Sequence, residues 1–219
     1  RISEPVVLER VEILSLIEQF QFNFLDDSRW QFIVSGLKNT IIITFFAVLL
    51  GVFLGFLIAI VRSTHDKTGK LKILNVICRV YLTVIRGTPT MVQLLIVYYV
   101  IFATVDPGKV IVAIIAFGMN SAAYVAEIVR SGIMSIDQGQ FEAGRSLGLN
   151  YTQTMTKIIL PQAVKNILPA LGNEMIVLLK ETSISGYIGL TDLTRGGDII
   201  RSQTYSCLLY TSDAADDKA

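Results

Sequence analysis

Apolar residues in this chain come in long unbroken blocks, separated by short charged segments. Residues 41–61, IIITFFAVLLGVFLGFLIAIV, run without a single charge. About 20 such residues, at 1.5 Å rise each, cross about 30 Å of hydrocarbon, so this block predicts a membrane-spanning helix. Gly51 and Gly55 give it a small-xxx-small face against which another helix can pack closely, or they are ordinary membrane-helix glycines. A second region, VICRVYLTVIRGTPTMVQLLIVYYVIFATV (76–105), is broken near RGTP, and a third is VIVAIIAFGMNSAAYVAEIV (110–129). A fourth and weaker one is AVKNILPALGNEMIVLLKETSI (163–184). The polar residues of these blocks must face protein or water.

Between the third and fourth blocks the pattern changes. GQFEAGRSLG reads as a short polar helix in which Phe141, Gly144 or Arg145, and Gly148 recur at helical spacing, and Glu142 can reach Arg145 or Ser146. Gly148 is placed as a left-handed C′ residue. Asn150 then reads as an N-cap with Gln153 three residues on, the spacing of a capping box. The second helix runs through Met155, Ile158 and Ile159 and is expected to stop by Leu160, because a residue before proline is pushed out of the helical region. The expectation is two short helices and a tight turn, exposed between two membrane spans.

Composition agrees with a membrane protein: 52% of the 219 residues are hydrophobic and 17% charged, against about 25% charged in soluble domains. A net charge of +1 implies no bulk attraction to nucleic acid. Cys78 and Cys207 are too few and too far apart for a disulfide framework, and no metal-ligand spacing is present. His65, the only histidine, lies in a charged loop and reads as solvated. The loop 62–72 carries Arg62, Lys67, Lys70 and Lys72; the hairpin region carries Arg130, Arg145, Lys157 and Lys165; the intervening DPGK has one lysine. The positive-inside rule then places loop 62–72 and the hairpin in the cytoplasm, with the N-terminus and residues 105–109 outside.

Both ends stand apart. Residues 1–30 are read as an extracytoplasmic or interfacial amphipathic segment, without the apolar run and small-residue cleavage site of a signal peptide. The tail CLLYTSDAADDKA (207–219) abandons the style of the preceding chain and resembles the translation of a sequencing adapter. The expected organisation is therefore a terminal segment 1–30, a transmembrane domain 31–206 truncated before its last helix, and an extraneous tail 207–219. The fold class expected is all-α and polytopic, with about five transmembrane helices in the intact protein and four visible here.

The segment EAGRSLGLNYTQTMTKIILP resembles, spacing for spacing, the EAA loop of the permease subunits of binding-protein-dependent ABC importers. The matching positions are Glu142, Ala143, Gly144, Gly148, Ile158, Leu160 and Pro161, with Gly144 where that family usually has alanine. LKNTIIITFFAVLLGVFLG, RGTPTMVQLLIVYY, AYVAEIVRSGI and LPQAVKNILPALGNEMIVLLKETSISGYIGLTDL all look like the polar amino acid branch of that family, over residues 24–206. The resemblance implies an inner-membrane permease subunit whose hairpin docks into a groove on a cytoplasmic ATPase. Movement of that ATPase would tilt the membrane helices as a rigid body. It also implies a second, identical or different, permease subunit and an extracytoplasmic solute-binding protein. No cofactor is expected in this chain; ATP and Mg belong to the partner ATPase, and no GxxxxGK[ST] loop occurs here.

Charges inside spans are costly and are functional candidates. Arg79 can snorkel from the second span. Arg86 lies beside Gly87 and Pro89, which interrupt the helix and leave backbone groups available to a ligand; pathway and structural roles both stay open for it. Glu127 can pair with Arg130 at i,i+3, a structural role. Asn173 and Glu174 fall near the middle of the fourth span, after Pro169 and Gly172, and Glu174 is the leading candidate for substrate contact. Its alternative is an ion pair with Arg86 or Lys180. Lys180 and Glu181 are placed at the outer end, as a gate or among headgroups. Tyr98, Tyr99 and Tyr124 line the path or pack at the interface. Three rivals are weighed: an ion-gradient-driven secondary transporter, which an inverted repeat of the spans would favour, but none is seen and the hairpin is left unexplained; a membrane-embedded enzyme, which several His, Asp or Glu residues at metal spacing would favour and a single loop histidine argues against; and a scaffold that only recruits an ATPase.

Overall fold

The computed structural model describes residues 18, 20–105 and 107–205. Most of segment 1–30 and the whole tail 207–219 lie outside the described residues, as does Cys207. All regular structure among the described residues is helical. The elements are α1 (Trp30–Thr68), α2 (Lys72–Gly87), α3 (Thr90–Ile101, its last turn π-helical), α4 (Lys109–Met134), α5 (Gln138–Ser146), α6 (Tyr151–Thr154), α7 (Leu160–Glu181) and α8 (Leu193–Thr204). A π turn, Met155–Ile159, joins α6 to α7, and a 3-10 turn, Thr182–Ile188, follows α7.

Two helices, α1 and α4, are long and apolar enough to cross a membrane, and the bent pair α2–α3 makes a third if it is one broken span. The first block extends to 39 residues in α1, about 58 Å at 1.5 Å per residue, so its ends reach past the hydrocarbon. The second region bends by 113° at the predicted RGTP break. Thr88 and Pro89 are extended there, as the ring of Pro89 requires of its neighbour. The fourth block forms the 22-residue helix α7. It is long enough to span, but Lys165, Asn166, Asn173, Glu174 and Lys180 keep it out of the set apolar enough by composition.

The residues fall into two compact units. In the unit Ile43–Thr182, α4 is the central element: 61% of its apolar window is buried, against 28% for that of α1. Its buried face is built of small residues, among them Ala113, Ala116, Gly118, Ala122, Ala123 and Ala126, which let neighbours approach where lipid offers no hydrophobic drive. The glycine face of α1 is used in this way. A Cβ at Gly51 would stand 2.7 Å from Ser121 Oγ, and one at Gly55 would stand 2.7 Å from Val125 Cβ. Further along the same contact, Val125 and Val129 of α4 pack with Ala59 of α1 and with Ala163 and Ile167 of α7. Phe45, Phe46, Leu49, Phe53 and Ile60 remain exposed along α1, the pattern of a helix face meant for lipid or another protein.

In the other unit (up to Ile42 and from Ser183 onward), buried Asp192 caps α8, accepting from the backbone N–H groups of Thr194 (3.0 Å) and Arg195 (3.4 Å). Asn39 donates to the Thr191 carbonyl at 2.8 Å, and Leu193 N–H donates to Thr40 Oγ1 at 3.2 Å. Gly36 and Gly196 allow this close packing: an added Cβ would meet the Asp192 carbonyl or, at 2.6 Å, the Phe32 carbonyl.

Candidate functional site

The polar hairpin forms as two helices about a tight turn. Asp137 caps α5, accepting from Gly139 N–H at 2.6 Å. Gly148 has φ +76°, the left-handed conformation expected of a C′ glycine. Gly148 N–H donates to the Arg145 carbonyl at 2.9 Å and Leu149 N–H to the Gly144 carbonyl at 3.1 Å. These two bonds are those of a Schellman motif. The capping box is complete: Gln153 N–H donates to Asn150 Oδ1 (2.9 Å) and Asn150 N–H to Gln153 Oε1 (3.0 Å). Glu142, Ala143 and Leu147 are exposed, whereas Gly144 is buried against Thr154.

One expectation fails here. The chain does not leave the helical region at Leu160. Ile159 and Leu160 are both helical, and the chain continues into α7. The π turn explains why. Leu160 N–H donates to the Met155 carbonyl, five residues back, which shifts the ladder so that Pro161 falls in the first turn of α7, where no donor is required. Ile158 and Leu160 therefore lie on a continuous helical path from the hairpin into α7. Gln162 Nε2 ties that path to α5, donating at 3.4 Å to Gln140 Oε1.

Near the α2–α3 break the structure gathers side chains that the sequence reading passed over. Gln93 Nε2 donates to the Ile85 carbonyl (2.7 Å), the Thr88 carbonyl (3.0 Å) and Thr88 Oγ1 (2.9 Å). The backbone acceptors expected to be open to a ligand beside Arg86 are thus taken by Gln93, as buried carbonyls generally must be. Asn120 Nδ2 donates to Gln93 Oε1 at 2.9 Å and lies 3.5 Å from Thr90 Oγ1. Thr90 Oγ1 in turn donates to Glu181 Oε1 at 3.5 Å. Glu174 stands two turns before Glu181 on α7, and the buried Ser121 Oγ of α4 completes no hydrogen bond. Amides inside apolar blocks were the available signal, since a buried amide in hydrocarbon requires a partner.

A separate cluster of charges forms around Glu127. Glu127 lies 3.7 Å from Arg62, 3.7 Å from Arg86 and 3.7 Å from Arg130. The i,i+3 pair with Arg130 is present, and Arg86 joins Glu127 rather than Glu174. The Arg86 guanidinium also lies 5.8 Å from the Tyr124 ring centroid. Asn173 and Lys180 are exposed on α7 and Glu174 is half-buried. His65 is not merely solvated: Nδ1 meets the Nδ2 of buried Asn75 at 3.0 Å and lies 3.6 Å from Asp66, because α1 and α2 turn back on each other there.

Residues 51–211 match the family described as the binding-protein-dependent transport system inner membrane component. A protein of Rickettsia prowazekii (strain Madrid E) described as a glutamine transport system permease is 38% identical over 177 residues, covering 80% of this chain and 79% of its own. The L-cystine transport system permease protein of Bacillus subtilis (strain 168) is 33% identical over 205 residues, 92% of this chain and 85% of its own. Among solved structures, an amino acid ABC transporter crystallised with histidines superposes with a TM-score of 0.78 at 40% identity, covering 92% of this chain and 90% of its own. The inward-facing MetNI methionine ABC transporter shares the fold, with a TM-score of 0.65 at 19% identity over 88% of this chain and 96% of its own. The chain belongs to the family of binding-protein-dependent transport system inner membrane components, the membrane-spanning permease subunits of ABC transporters.

Proposed function

We propose that this permease forms half of the translocation path of an ATP-driven importer for a polar amino acid, and that residues 140–161 are its handle for a cytoplasmic ATPase. The hairpin carries this reading. A Schellman turn and a complete capping box fix the angle between α5 and α6, and the π turn runs without a flexible joint into α7. A push on exposed Glu142, Ala143 and the Gly148 turn then reaches the middle of the bundle as a tilt of α7, the helix that carries Glu174. Gly144 is the packed point of the same lever, Ile158 is partly buried, and Leu160 and Pro161, both exposed, carry it into α7. ATP and Mg act in the ATPase, a second permease subunit completes the path, and an extracytoplasmic binding protein delivers the solute. The hairpin faces the cytoplasm and the N-terminus the outside, as the arginine and lysine distribution of the loops supports.

Within the path, Asn173, Glu174 and Lys180 on α7 meet the solute, and Arg86 paired with Glu127 stands at its inner end. Both signs of charge suit a zwitterion. Relatives described as permeases for glutamine and L-cystine support an amino acid as cargo. The test is co-purification of the full-length protein with its ATPase. The wild type is expected to retain the ATPase, and Glu142→Lys to lose it while still inserting in the membrane. Retention by Glu142→Lys would remove the hairpin from the docking surface.

A further inference from the structure

The cluster around Glu127 has more positive charge than its carboxylate can answer. Arg62, Arg79, Arg86 and Arg130 line one cavity of about 450 Å³ with Glu127 and Thr83. Three of the guanidiniums share the single carboxylate, each at 3.7 Å and none at hydrogen-bond distance. Arg79 makes no ion pair among the described residues. Repulsion between four cations around one cavity is relieved by a bound anion with several acceptor oxygens. Guanidinium forks match phosphate in this way.

The setting identifies the kind of anion. Arg62 and Arg130 lie within about two turns of the ends of α1 and α4, the depth at which a headgroup meets the hydrocarbon edge. Round the helix from Thr83, α2 presents Val76, Val80 and Val84, each more than half exposed. A polar cavity rimmed on one side by such a stripe suits a molecule with an anionic head and an apolar tail. Basic pockets of this type at the positively flanked end of membrane helices hold anionic lipid headgroups. We infer that this cavity is a binding site for one anionic phospholipid, its phosphodiester held by Arg62 and Arg79 and its acyl chains lying over the valine stripe of α2.

The site goes beyond the transport reading, and its test requires no transport. The full-length protein is purified in mild detergent with dioleoylphosphatidylglycerol, and retained lipid is counted by native mass spectrometry. Parallel arms contain dioleoylphosphatidylcholine, or phosphatidylglycerol with millimolar inorganic phosphate. Wild type is expected to retain one phosphatidylglycerol per chain and no comparable phosphatidylcholine. Arg79→Gln and Arg62→Gln are expected to lower retention about tenfold, Arg79→Lys less, and Lys70→Gln, which removes the same charge elsewhere, not at all. A melting curve for each variant separates lost binding from lost folding. Equal retention of the two lipids, unchanged retention in Arg79→Gln, or full displacement by inorganic phosphate would each overturn the assignment.

Discussion

Gly144 and Thr154 occupy one shared space across the hairpin. A Cβ on residue 144 would stand 2.5 Å from Thr154 Cγ2 and 2.8 Å from its Oγ1. Thr154 is fully buried and its hydroxyl is already committed to the Asn150 carbonyl at 3.1 Å, so it has little room to yield. An alanine at this position would therefore crowd this threonine and force one of the two to shift. Glycine costs about 1 kcal/mol of helix propensity, and the overpacking it avoids costs about 1–3 kcal/mol.

Gly144→Ala should accordingly destabilise the hairpin despite its better propensity. Adding Thr154→Ser should restore stability, with a coupling energy of about 1 kcal/mol or more in a double-mutant cycle. Amide hydrogen exchange over residues 138–160 reads the effect locally. Additive behaviour of the two substitutions would mean that the residues do not meet.

Gly148 holds φ +76° with open space around it, so the demand there is conformational rather than steric. Gly148→Leu forces a side chain into the left-handed region at about 1–2 kcal/mol and should abolish uptake without preventing membrane insertion. Gly148→Asn, which tolerates that region, should retain most activity. Equal loss in both variants would show that the turn conformation is not what matters.

Glu174→Gln is expected to change the kinetics of solute uptake while the ATPase remains bound, because the residue lies on α7 well away from the hairpin. Uptake assays paired with co-purification separate the two effects. Unchanged kinetics would take Glu174 out of the path.

Gln93→Leu should cost more than Asn120→Leu. Gln93 satisfies the carbonyls of Ile85 and Thr88 at the helix break as well as meeting Asn120 at 2.9 Å. Each buried group left unpaired costs about 1–3 kcal/mol. Thermal unfolding of the full chain in detergent ranks the two. The reverse order would mean that water replaces Gln93 at the break.

Asp192 gives a pH test outside the spans. Burial pushes its carboxyl above the ordinary range, against the backbone N–H groups that favour its charged form. A raised folded value means that the folded state binds the proton more tightly. Stability is therefore fully present below the ordinary value of about 3.9 and declines as pH rises through the raised value. Asp192→Asn keeps a capping oxygen and buries no charge. It should match the wild type at acid pH and melt higher at neutral pH. A variant that melts lower, by the same margin at every pH, would contradict this.

Much of this architecture is legible in the sequence because lipid imposes long apolar blocks and punishes exceptions. The α1 and α4 spans, the RGTP break, the left-handed Gly148 and the Asn150–Gln153 capping box all follow from local chemistry. What local chemistry misses is pairing across the chain. Pro161 signals a helix end, yet a π turn upstream absorbs the proline, and the sequence does not announce that shift. The partnership of Gln93 with Asn120 spans two helices, so neither position alone reveals it. His65 reads as solvated until Asn75 is folded back against it.

The most direct measurement is solute uptake into sealed vesicles holding the full-length permease, with and without its ATPase, in the presence of ATP and the binding protein. Uptake should require both the ATPase and ATP hydrolysis, and Glu142→Lys or Gly148→Leu should remove it. Transport of comparable rate by the permease alone, driven by an ion gradient, would contradict the account.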